Sequence, residues 1–128
     1  MKIVIIGASH AGITAALNLR KLQPEAEVLL IDENHKDGLG YVSNGINLYL
    51  EGKIHSLAEA ANNERTLQAS GAKLITEWRV TELDPDKHQL ILTSEEGKKE
   101  TLTYDKLIVA TGSSPATLYN MICKIKLE

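Results

Sequence analysis

The chain is poor in several things that small proteins often rely on. It holds one cysteine, Cys123, in 128 residues, so no internal disulfide can form and the composition fits a reducing, cytoplasmic setting. Phenylalanine is absent and aromatic residues make up 4% of the chain, which leaves aliphatic side chains to build the core. Basic residues number 14 against 17 acidic ones, a net charge of −3. That balance offers no electrostatic case for nucleic acid or an anionic membrane as partner. No apolar run approaches the roughly 18 residues of a membrane span. The opening does not read as a secretion signal, because Lys2 precedes only Ile3-Val4-Ile5-Ile6 before Gly7. What is present suffices for a folded unit. Apolar residues are 43% of the total, a chain of this size removes about two-thirds of its surface from water, and the length suggests one domain.

The most informative segment comes first. Lys2 to Ile6 is a short, continuous apolar run, the pattern of a parallel strand covered on both faces. It enters Gly7-Ala8-Ser9-His10-Ala11-Gly12 directly. Gly12 to Leu22 then reads as a helix with Ile13, Ala16, Leu17 and Arg20 on one stripe and Pro24 past its end. Ala26 to Ile31 is a second strand, closed by the acids Asp32 and Glu33. A strand, a glycine turn, a helix and an acid-tipped strand are the parts of a dinucleotide site. The turn and the positive end of the helix face a pyrophosphate, and the acid accepts hydrogen bonds from ribose hydroxyls. Such an acid disfavours a 2′-phosphate. Ser9 stands where the G-x-G-x-x-G pattern has its middle glycine; it is small, and its hydroxyl can donate to phosphate. A βα turn with no ligand is the alternative for a degenerate motif of this kind.

The remaining chain alternates between helix and strand signals. Asn34 to Gly40 reads as a loop, and Ile46 to Leu50 can begin a short helix. Ser56-Leu57-Ala58-Glu59 is a capping box, opening a helix predicted to run to Ser70 and stop at Gly71. Lys73 to Thr76 is predicted as a third parallel strand. Trp78 to Leu83, His88 to Thr93 and Thr101 to Tyr104 are separated by the turn signals Asp84-Pro85-Asp86 and Glu95-Glu96-Gly97-Lys98, and read as an inserted antiparallel β-meander. Leu107 to Ala110 is predicted as another buried strand. The pattern decays after Pro115, so residues 116–128 form an unplaced tail to a domain spanning 1–115. Asp84, Asp86 and His88 are explained by the turn and strand start rather than by a metal, since no second ligand cluster is near in sequence.

The glycine turn, Pro24 to Val28 and Ser43-Asn44-Gly45-Ile46-Asn47-Leu48-Tyr49-Leu50-Glu51-Gly52 closely resemble the amino-terminal segment of the NADH oxidase, NADH peroxidase and coenzyme A-disulfide reductase family. Tyr104 to Pro115 resembles that family's second FAD motif. The likeness implies a Rossmann-like, FAD-binding, three-layer α/β domain with FAD as cofactor. It also implies an FAD-dependent NAD(P)H oxidoreductase, with NADH met only in a longer parent protein. Gly7, Ser9, Ala11 and Gly12 would line the pyrophosphate, with Thr111 and Gly112 approaching from the other side after Ala110. Asp32 would take the adenosine ribose, with Glu33 and Asn34 beside it. Val80 would meet the adenine through its backbone. His10 matches a residue that lies near flavin and redox cysteine in peroxidase-like members, a catalytic candidate; a helix-start histidine bonded to backbone or solvent is the other reading.

Position 44 departs from the family. Asn44 lies between Ser43 and Gly45, where the family carries its reactive cysteine, and a carboxamide has no comparable nucleophile or redox couple. The chain is also several times shorter than family members, with one glycine turn and no second βαβ unit for a hydride donor. Surface left by absent domains could drive non-native dimers, so a homodimer is one possible state. Three readings follow: the FAD domain of an NADH oxidase-like flavoprotein, a dinucleotide-binding module without turnover, and a ligand-free remnant of the fold.

Overall fold

The computed structural model describes residues 1–34, 43–56 and 63–113. Most of the predicted Asn34–Gly40 loop, the capping box beyond Ser56 and the tail with Cys123 lie outside them. The elements are β1 (Lys2–Ile6), α1 (His10–Leu22), β2 (Glu27–Ile31), α2 (Ser43–Leu50), α3 (Asn63–Ser70), β3 (Lys73–Ile75), β4 (Trp78–Asp84), β5 (Gln89–Ser94), β6 (Lys99–Thr103) and β7 (Lys106–Val109).

Four strands form a parallel sheet in the order β3-β2-β1-β7. The chain leaves this sheet at one edge after β3 and re-enters at the other edge as β7. Between the two it builds the antiparallel sheet β4-β5-β6. Because side chains alternate along a strand, each parallel strand serves two cores. Ile5, Val28 and Leu30 meet Ala8, Ile13 and Ala16 of the α1 region and Leu67 of α3. Val4, Leu29 and Ile31 point the other way, onto Leu90 and Leu92 of the meander. The three expected layers are therefore helices, parallel sheet and meander. Val4, Ile5, Leu30, Ile31 and Leu90 are completely buried, and each such side chain stabilises the fold by about 1.5–3 kcal/mol relative to exposure.

One expectation fails. Leu107 to Ala110 is predicted as a buried strand, yet among the described residues β7 is one of the two outer strands and Val109 is 61% exposed. β7 pairs only with β1 among the described residues, so an apolar run that reads as central occupies an edge. Smaller differences concern element ends. α1 begins at His10, two residues before the predicted start, and β6 begins at Lys99 because Lys99 and Glu100 pair with Thr93 and Leu92.

Candidate dinucleotide site

Two glycines let the backbone cross at the end of β1. Gly7 has φ +103°, and a Cβ there would collide with the carbonyl oxygen of Ala110. A Cβ on Gly12 would collide with the carbonyl of Gly7, so α1 can sit this close to the strand only without a side chain there. The Gly7 N–H donates to the Ile31 carbonyl at 2.7 Å and the Ala110 N–H to the Ile6 carbonyl at 2.8 Å, tying the turn to β2 on one side and to the end of β7 on the other. Ser9 is the extended N-cap of α1, and its hydroxyl caps none of the first-turn amides. No acidic residue occupies that turn. The helix therefore presents a positive end with donors not used by a cap.

Asp32 organises the neighbouring tip. Its Oδ2 accepts the Ala8 N–H at 2.7 Å. Its Oδ1 accepts the Asn34 backbone N–H at 2.9 Å and side-chain Nδ2 at 2.8 Å. The carboxylate thus joins the glycine turn to the end of β2. The start of β4 is bound beside it: the Trp78 N–H donates to the Asp32 carbonyl and the Glu77 N–H to the Asn34 carbonyl, both at 3.3 Å.

These contacts frame an open cleft of about 410 Å³ lined by Ile6, Gly7, Ile31, Asp32, Glu33, Asn34, Arg79, Val80, Thr111 and Gly112. Seven predicted site residues converge there: Gly7, Asp32, Glu33, Asn34, Val80, Thr111 and Gly112. Ser9, His10 and Ala11 sit at the exposed start of α1, outside the lining set, and Gly12 is buried beneath them. Ala110 meets Gly7 through its carbonyl rather than lining the cleft. α2 begins at Ser43, but the side chains of Ser43 and Asn44 are outside the description. Arg79 was not predicted. Its Nε pairs with Glu33 Oε2 at 3.1 Å, and no local pattern announces this because Glu33 lies just past β2 and Arg79 on β4.

Chemistry elsewhere is thinner. Asp84 Oδ1 accepts the Lys87 N–H at 3.0 Å, and this bond holds the Asp84 carboxyl below the usual aspartate range. His88 stacks on Tyr104 with ring centroids 5.3 Å apart. These contacts account for the turn, and no metal-ligating group of three His, Cys, Asp or Glu comes together among the described residues. No described helix is long and apolar enough to cross a membrane.

Residues 1–124 match the sequence profile of the pyridine nucleotide-disulphide oxidoreductase family. The chain belongs to that family. Among pyridine nucleotide-disulphide oxidoreductases, it is 35% identical over 117 residues to an NADH oxidase of Enterococcus faecalis, an alignment covering 90% of this chain and 26% of the relative. An NADH oxidase of Lactococcus lactis is 33% identical over 116 residues, covering 90% of the chain and 26% of the relative. The solved structure of a water-forming NADH oxidase from Lactobacillus brevis, bound to NADH, superposes with a TM-score of 0.80 at 31% identity, covering 91% of this chain and 26% of that one. An NAD-dependent persulfide reductase from A. fulgidus shares the fold, with a TM-score of 0.80 at 24% identity over 91% of this chain and 22% of that one. The chain thus spans about a quarter of the length of the relatives it matches, and corresponds to their amino-terminal segment.

Proposed function

We propose that residues 1–115 form the FAD-holding domain of an NADH oxidase-like flavoprotein. One observation carries the reading: the Ala8–Asp32 bond brings a phosphate-type glycine turn and a ribose-type carboxylate to the same cleft. The pyrophosphate of FAD would lie at the start of α1, near Gly7, Ser9, Ala11 and Gly12, where the glycines admit close approach and the helix end favours anions. Asp32, with Glu33 and Asn34 alongside, would receive the adenosine ribose. Val80 would face the adenine, and Thr111 and Gly112 would close the pyrophosphate side beyond Ala110.

A bound flavin supplies the electron-transfer chemistry. This chain's own residues would hold and orient it. His10 is the candidate for proton handling near the ring, and Ser43 and Asn44 are candidate cofactor contacts. Asn44 in the position of the family cysteine argues against thiol-based peroxide or disulfide chemistry but is compatible with oxygen reduction. NADH and a homodimer partner would be met by further domains of a parent protein working in the cytoplasm. Asn44 also favours a second reading, in which the domain holds a dinucleotide without turnover.

Titration of the purified chain with FAD, followed by flavin absorbance and fluorescence, tests the proposal. Saturable binding, or yellow protein on purification, is expected. A colourless chain that ignores both FAD and NAD overturns it and leaves the ligand-free remnant.

A further inference from the structure

The two acids at the tip of β2 are employed differently. Asp32 already receives three hydrogen bonds from within the chain. A carboxylate offers about four acceptor sites, so about one remains for a ribose hydroxyl. Glu33 points its carboxylate at Arg79, with side-chain exposures of 55% and 72%. Such an exposed pair contributes little to stability, so removing it leaves the fold intact.

Arg79 borders two grooves. Alternation along β4 packs Val80 into the meander-side core and puts Arg79 on the outer face. There it borders a second groove with Glu33, Glu77, Thr81, Thr93 and Glu95. Three carboxylates on that side make the outer groove hostile to anions, and the Thr81 and Thr93 hydroxyls bond each other at 2.9 Å. The guanidinium also lines the dinucleotide cleft, so an anion reaching it would come from there. Asp32, Glu33 and Arg79 together carry a net charge of −1, whereas a ribose 2′-phosphate brings about −2. Neutralising Glu33 would bring the trio to zero and release the Nε donor of a five-donor fork that matches phosphate.

Resting on the dinucleotide reading, we propose that Glu33 and Arg79 form a nucleotide-selecting pair. While Glu33 holds Arg79, the cleft accepts an adenosine ribose with a free 2′-hydroxyl and rejects a 2′-phosphate. When Arg79 is freed, the same cleft becomes a 2′-phosphate site.

The test is calorimetric titration of the full chain with ADP-ribose and with 2′-phospho-ADP-ribose at low salt. Wild type is expected to prefer ADP-ribose. Glu33→Gln is expected to shift the ratio of the two affinities toward 2′-phospho-ADP-ribose by about 10-fold or more, and adding Arg79→Ala is expected to erase that gain. Both residues are exposed, so the variants are expected to fold, with urea denaturation as the check. If ADP-ribose binds but Glu33→Gln leaves the preference unchanged, or the gain survives loss of Arg79, the pair is not the selector and the dinucleotide reading stands. If wild type binds neither ADP-ribose nor FAD, that reading fails and the pair falls with it.

Discussion

Asp32 and Arg20 stand beyond opposite ends of β2, and the contrast between them separates scaffold from site. Arg20 donates Nε to the Ser70 carbonyl at 2.9 Å, and Nη1 to the carbonyls of Pro24 at 2.8 Å and Ala26 at 2.7 Å. It fastens the end of α1, the turn into β2 and the end of α3, and borders no cleft near the glycine turn. Asp32 also receives three internal bonds, but its carboxylate remains half-buried at the wall of the cleft. The amount of hydrogen bonding is alike. What differs is whether the charged group still faces a space that a ligand can enter.

The contrast can be broken most severely at the crossing beneath the Asp32 end. Gly12→Val forces a side chain into the Gly7 carbonyl, and a loss of more than about 3 kcal/mol is expected by urea denaturation, with binding lost alongside. An unchanged midpoint would mean that α1 can lift from β1 without cost. A finer cut exchanges the two hubs. Asp32→Ala should cost about 1–3 kcal/mol of stability and also weaken adenine nucleotides, since charge-assisted bonds are lost inside and outside the chain. Arg20→Met should cost a comparable amount of stability and leave nucleotide affinity within about twofold. Calorimetry and denaturation on both variants decide it, and an Arg20→Met chain that loses affinity as far as Asp32→Ala does would abolish the distinction.

The smallest effect lies at the edge of the sheet. Lys73 Nζ bonds Glu27 Oε1 at 3.0 Å between β2 and β3, and this bond holds the Glu27 carboxyl below the ordinary glutamate value. A carboxyl lowered on folding adds stability that is complete above its unfolded pKa and fades as pH falls through the folded one. Acid titration of stability should therefore show a slight loss in that window, and Glu27→Gln should remove it. Identical pH profiles for variant and wild type would show that the exposed bridge contributes nothing measurable.

Much of this architecture was readable residue by residue. β1 and β2 are uninterrupted aliphatic runs because both faces are covered, and α1 shows its stripe because only one face is. The meander announced itself through Asp84-Pro85-Asp86 and Glu95-Glu96-Gly97. β7 was legible as a strand and illegible as an edge: Leu107-Ile108-Val109 has the composition of a central strand, and strand order is not a local property. Seven predicted cleft residues meet in space, while Ser9, His10 and Ala11 lie at the helix start outside the lining set. Arg79 escaped notice because its partner sits 46 positions earlier, across a junction made by main-chain bonds from Glu77 and Trp78.

The order of residues by itself determined the βαβ unit, the glycine crossing and the acid at the strand tip, since hydrophobic period, steric bulk and charge are written in neighbouring positions. Tertiary structure alone decided which acid is tied into the chain and which holds an arginine, and which strand is left at the edge. Those outcomes depend on where β4 and β7 dock against the parallel sheet, and long-range packing, rather than local preference, sets that geometry.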